Sequence, residues 1–317
     1  MKKSSIITIA IGVVLVAASC VMVNFSGVSI LNFVREFSES KHIKQEKVLE
    51  VGEFSNITVD SHNNNIKIVS NLDVENVKVE YYTSDKIQFD IGIVGSELFI
   101  KQQTNNSFMN WFNFNFGDNS IVVHVPADLG LDYNIDGSNG EIIFYGIDVN
   151  RVDARTSNAM VDFSEVQAGD RLTLKTSNAK IKLDKLTSYN DIDITTSNGP
   201  LNMSDIKANT VWAKTSNGAL SAVGLIANKI WAKTSNGSIE LERLSADDIT
   251  LNTSNAFVKG SIIGKYDDFR KDIKTSNGEV RINGIEHGKK VNSASGMNVI
   301  VINTSNAGID IEFDSIE

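Results

Sequence analysis

The tripeptide Thr-Ser-Asn occurs eight times, starting at Thr156, Thr176, Thr196, Thr215, Thr234, Thr253, Thr275 and Thr304, and the first six copies are 19 or 20 residues apart. A fixed period of this length means that one short unit is stacked on itself many times, and this constrains the fold more than any other feature of the chain. Gly137-Ser138-Asn139 reads as a degenerate ninth copy and Ser61-His62-Asn63 as a tenth.

Aligning the copies on the threonine exposes the unit. Four residues before it stand Val152, Leu172, Ile192, Val211, Ile230, Ile249, Lys271 and Ile300; two before it the residue is Ala, Leu or Ile throughout. The positions between are mostly polar, so a half-buried strand enters each motif. Three after the threonine the residue is Ala or Gly, and apolar residues return five and seven after it (Val161 and Phe163, Ile181 and Leu183). Inward parity changes from even to odd across the motif, which makes it a corner. A third inward stretch begins ten after, at Val166, Leu186 and Ile206. The expected fold is all-β: a single-stranded parallel β-solenoid of about 19–20 residues per coil. Each coil has roughly three short strands, and the winding is right-handed by the crossover rule. Stacking places Asn158, Asn178, Asn198, Asn217, Asn236, Asn255, Asn277 and Asn306 above one another as a structural ladder of side-chain amides.

The N-terminus is different in kind. Lys2 and Lys3 precede an apolar run over residues 6–25, long enough to span a bilayer as a helix. The lysines place residues 1–5 in the cytoplasm and the rest outside it. We read an uncleaved, single-pass signal anchor in a bacterial cytoplasmic membrane; lipidation at Cys20 after Ala17-Ala18-Ser19, or a cleaved secretory signal, are the alternatives. Residues 26–47 are charged and read as a juxtamembrane linker, helical or flexible. Residues 48–130 read as a less regular β region and N-terminal cap, and 131–317 as the regular array.

These motifs resemble the bacterial putative-adhesin family of Thr-Ser-Asn-Gly repeat proteins, which includes LiaG-like proteins, over about residues 48–317. The entry segment Ile121-Val122-Val123-His124-Val125-Pro126, followed by Gly137-Ser138-Asn139-Gly140, carries part of the likeness. The resemblance implies a β-solenoid at the cell envelope, at times linked to envelope stress, and supplies no catalytic residue. The phase departs between Thr275 and Thr304, where the gap is 29 residues and an extra loop or irregular coil is expected near 288–297.

Chemistry is sparse. The four histidines are scattered, Cys20 is the single cysteine, and neither metal nor cofactor is expected. The net charge is −9 without a basic block, which excludes nucleic acid as a partner. Two features stand out as candidate binding elements. Trp212 and Trp231 share an outward column on consecutive coils, with Lys214 and Lys233 beside them; such a face suits a sugar, a peptide or an anionic wall polymer, or else merely stabilises the sheet. Trp111, Phe112, Phe114 and Phe116 form either an aromatic loop that touches lipid or a partner, or an ordinary half-buried strand. The expected function is a non-catalytic envelope scaffold or adhesin-like binding module, with an envelope protein or wall polymer as partner. An accessory role in envelope stress and a polysaccharide-acting enzyme are the alternatives; a carboxylate cluster in a groove would point to the last. The chain ends soon after its last motif, which exposes unpaired strand edges; a cap, a partner or self-association through the solenoid ends with another copy are the alternatives for covering them.

Overall fold

The computed structural model describes residues 43–84, 87–103, 119–126 and 129–314. Their strands form one 24-stranded sheet wound into coils, and the helical element among them is a single turn at Tyr266–Asp268. The apolar run 6–25, Cys20 and the aromatic segment 108–116 lie outside the described residues. Within those residues no helix is long and apolar enough to cross a membrane.

Each coil has three faces around a narrow core. In the Thr196 coil, Ile192 and Ile194 point inward along Asp191–Thr195, the motif turns the first corner, and Leu201 and Met203 point inward along Leu201–Lys214. The second corner is a single residue with left-handed backbone: Gly146, Glu165, Lys185, Asp205, Gly224 and Arg243 have φ between 51° and 66°. A positive φ reverses the inward parity within one residue, so Met203 and Ile206 both stay in the core. The third inward stretch is therefore no separate strand in these coils. Leu201–Lys214 and Leu220–Lys233 run through the bend as continuous elements. The third corner carries a polar column that the motif alignment did not single out, in which Asn190 donates to Asp170 (3.1 Å) and Asn228 to Asn209 (2.9 Å).

The motif corner is built from hydrogen bonds between coils. All eight motif threonines are buried, 1–6% exposed. Each Thr Oγ1 donates to the carbonyl of the Ala or Gly that closes the neighbouring motif; Thr215 to Gly199 and Thr234 to Gly218 are 3.1 and 3.0 Å. In the copies closed by Gly, the same hydroxyl accepts the glycine N–H, as from Gly218 and Gly237, both at 3.1 Å. Glycine lets these coils approach closely, since a Cβ on Gly218 would stand 1.8 Å from the Gly199 carbonyl oxygen. Outside, each Asn Nδ2 donates to the Oδ1 of the next Asn in a continuous ladder, at 2.7 Å for most rungs.

The ladder also reveals an unexpected order. Asn139 donates to Asn63, Asn306 to Asn255, and Asn277 to Asn306. The coil of Thr304 is thus inserted between those of Thr253 and Thr275. Asn298–Thr304 pairs in parallel with Asp248–Asn252 on one side and Phe269–Thr275 on the other, and Ile309–Asp314 likewise lies between Val258–Ile263 and Val280–Ile282. The 29-residue gap is the return path that this insertion needs. The N-terminal end mirrors it: Asn56–Ser61 lies between Leu131–Gly137 and Glu97–Gln103, and Ile66–Asn71 between Ile142–Arg155 and Ile121–Pro126.

Two expectations change accordingly. The last coil in sequence is internal, not an uncovered end. At that end, Lys290–Ser293 and Ile285–Glu286 pair antiparallel with the outermost coil; at the other, Val77–Thr83 and Gln88–Val94 do so. The final residues of the expected linker are also folded. Ile43–Leu49 is an edge strand antiparallel to Val77–Thr83, its charges paired across the strands as Lys44–Glu80 (2.8 Å) and Lys78–Glu46 (3.1 Å). Lys271, the one charged residue in a core column, lies in the outermost coil, where its ammonium donates to the Tyr266 and Phe269 carbonyls at 2.6 Å and sits over the Tyr266 ring.

Candidate functional site

The strands entering the motif corners present a flat outer face, and its central coils carry the two tryptophans. Their strands are in direct register: Thr210 opposes Lys229, Trp212 opposes Trp231, and Lys214 opposes Lys233. The alternation that sends Val211, Ala213, Ile230 and Ala232 into the core sends these side chains outward. The ring centroids are 5.5 Å apart with planes tilted by 45°. Trp212 remains 37% exposed and Trp231 is half-buried, so the rings lean on one another and still leave an aromatic surface open.

The charges around the pair are unequally satisfied. Arg155 pairs with Asp153 (2.6 Å), Arg171 with Asp193 (3.4 Å) and Lys229 with Asp248 (2.8 Å). At the third corner Asp170 accepts from Arg151 at 2.5 Å, which holds its carboxyl below the usual range. Lys214 and Lys233 are exposed, lie side by side, and have no carboxylate within ion-pair distance among the described residues. Like charges directly opposite one another on neighbouring strands repel. Thr195 and Asn252 flank them in their column, so no acid relieves that repulsion.

The structure also brings together residues that spacing did not. On the face after the motif corner, Glu240, Glu242, Lys259, Asp310 and Glu312 line a groove of about 420 Å³ over Gly260. Asp310 and Glu312 reach it only because the terminal coil is inserted there, which no sequence period announces. This is the carboxylate cluster in a groove that the enzyme alternative called for, but in register Lys259 stands between Glu240 and Asp310, so the charges alternate along that column and no two of its acids adjoin. Among the described residues no group of His, Cys, Asp or Glu is arranged to hold a metal ion. Asp132, Asn134 and Asp136 have the spacing of the start of a calcium-binding loop, but they lie on the strand Leu131–Gly137, and Asp132 accepts a hydrogen bond from Asn150.

A stacked-coil β-solenoid carrying an open aromatic and basic face is the class these features define. The chain belongs to the Toastrack family DUF4097, whose model matches residues 54–316. Solved structures are similar to the chain at low identity. One described as a putative lipid binding protein from Parabacteroides distasonis is 12% identical with a TM-score of 0.50, over 87% of this chain and 98% of that one. A putative adhesin from Parabacteroides merdae is 14% identical (TM-score 0.42; 86% and 96% covered). Another from Bacteroides fragilis is 15% identical (TM-score 0.42; 86% and 97% covered). No curated protein sequence matches the chain.

Proposed function

We propose that this protein is a non-catalytic, extracytoplasmic binding module, tethered to a bacterial membrane through residues 6–25, whose Trp212–Trp231 face takes an anionic, sugar-bearing polymer of the cell envelope. The observation that carries this reading is the uncompensated lysine pair beside a partly exposed indole pair. Indole faces pack against the C–H face of a sugar ring, and two unpaired ammonium groups one coil spacing apart offer a site for phosphate or carboxylate. A flat, rigid face repeated over several coils suits an extended partner better than a small molecule.

Co-sedimentation with isolated cell-wall material tests it. The full chain in detergent is expected to be retained at low salt and released as salt rises, with retention lost in Trp212→Ala/Trp231→Ala and reduced in Lys214→Ala/Lys233→Ala. Equal retention of all three proteins would overturn the assignment of the face. The alternative, an accessory role in envelope stress of the kind suggested by LiaG-like proteins, places the activity in a membrane partner and predicts no polymer retention at all.

A further inference from the structure

The chain contains six Asn-Gly dipeptides: 139–140, 198–199, 217–218, 236–237, 277–278 and 283–284. Asn-Gly is the pair most open to attack by the following backbone nitrogen on the side-chain amide carbon, because glycine has no Cβ to obstruct the approach. The fold sorts the six into three environments.

In four of them both reacting groups are engaged. The N–H groups of Gly199, Gly218, Gly237 and Gly278 donate to the motif threonine hydroxyl at 3.0–3.2 Å. The amide Nδ2 atoms of Asn198, Asn217, Asn236 and Asn277 donate along the ladder at 2.7–2.8 Å. Asn139 keeps its ladder bond, at 2.7 Å to Asn63, but Gly137 occupies the position where the other copies have threonine, so no motif hydroxyl holds the Gly140 N–H. Asn283-Gly284 has neither restraint. It forms the two-residue turn between Val280–Ile282 and Ile285–Glu286, with φ of 50° and 76°; both residues are exposed, and Asn283 Nδ2 and the Gly284 N–H have no partner among the described residues. Its Oδ1 accepts the Phe313 N–H at 2.8 Å, a bond that fastens the inserted terminal strand to the capping hairpin.

We infer that Asn283 is a spontaneous modification site whose conversion loosens the C-terminal cap, and that the threonine column protects the ladder asparagines from the same reaction. The Gly284 nitrogen attacks Asn283 Cγ, the new N–Cγ bond replaces Cγ–Nδ2, and the amide leaves as ammonia with the proton lost from the glycine nitrogen. Water then opens the cyclic imide at either carbonyl, giving aspartate or isoaspartate. Both products carry a new negative charge. The isoaspartyl form also adds a methylene to a two-residue turn, which is incompatible with the Arg281–Glu286 and Ile282–Ile285 register.

The test is peptide mapping by mass spectrometry on the full chain in detergent, aged for weeks at mildly alkaline pH. Conversion is expected at Asn283 before all others, more slowly at Asn139, and not at the four threonine-backed positions. In Thr215→Val, Asn217 should begin to convert while Asn236 stays intact. Hydrogen exchange at the Phe313 amide should rise in step with conversion at residue 283. An intact Asn283, or conversion of Asn217 in the unmodified sequence at the rate of Asn283, would overturn the inference. An unchanged Phe313 amide after full conversion would overturn its structural consequence.

Discussion

At the scale of the residue, the motif threonine links successive coils through its side chain. It is buried, and where the motif closes with Gly its hydroxyl donates to one coil and accepts within its own. Thr215→Val keeps the shape and removes both bonds, leaving the Gly218 N–H without its acceptor. The expected loss is about 1–3 kcal/mol of unfolding free energy, the usual cost of a buried polar group left unsatisfied, read by chemical denaturation. Thr215→Ser should lose clearly less. The asparagine ladder was legible in the sequence, since a shared period and residue type suffice to stack amides. The Ala-or-Gly column was legible only as a small-residue requirement. That glycine there brings coils close enough to exclude a Cβ depends on backbone spacing, which composition does not encode. Left-handed residues such as Glu165 and Asp205 were concealed for a related reason: L-residues disfavour that backbone, so their identity gave no warning.

At the scale of the element, the coil of residues 56–71 and the coil of residues 298–314 are each inserted one coil inside their own end of the stack. Period and register told which segments form coils but not which neighbours they choose. Parallel pairing needs only two free edges of matching length, and sequence order does not enter. A chain ending at Met297 tests this directly. With Asn298–Asp314 gone, Phe269–Thr275 and Val280–Ile282 lose their parallel partners, and hydrogen exchange should show residues 269–293 unprotected while the coils of Thr156 to Thr234 stay protected. Stacking in sequence order would leave 269–293 protected. The N-terminal edge strand has a different sensitivity. Hydrogen bonds from Lys44 and then Lys78 hold the Glu80 carboxyl down at about 2, with Glu46 and His124 as the other ionisable neighbours. A depressed carboxylate stabilises the fold fully above its unfolded pKa, near the ordinary glutamate value of 4.5, and that contribution disappears as pH falls toward 2. Melting temperature should therefore drop across this window, and Glu80→Gln should flatten the drop while lowering stability at neutral pH.

At the scale of the whole molecule, a rigid stack turns a local coincidence of sequence into a surface. Trp212 and Trp231 are 19 residues apart in the chain and 5.5 Å apart as rings because the coil period carries one onto the other. The same period places Lys214 beside Lys233, and this much of the face could be read before the structure. The groove at Glu240, Glu242, Asp310 and Glu312 could not, because it depends on coil insertion. Ligand binding at the Trp212–Trp231 face is read by tryptophan fluorescence. In a Trp111→Phe background, leaving Trp212 and Trp231 as the reporting indoles, the full chain in detergent is titrated with an anionic wall polymer and, separately, with a neutral glucan. Polymer binding at this face gives a saturable change with the anionic polymer that weakens as salt rises and a much smaller response to the neutral one; an unchanged spectrum with both, from protein whose circular dichroism shows it folded, rules the site out.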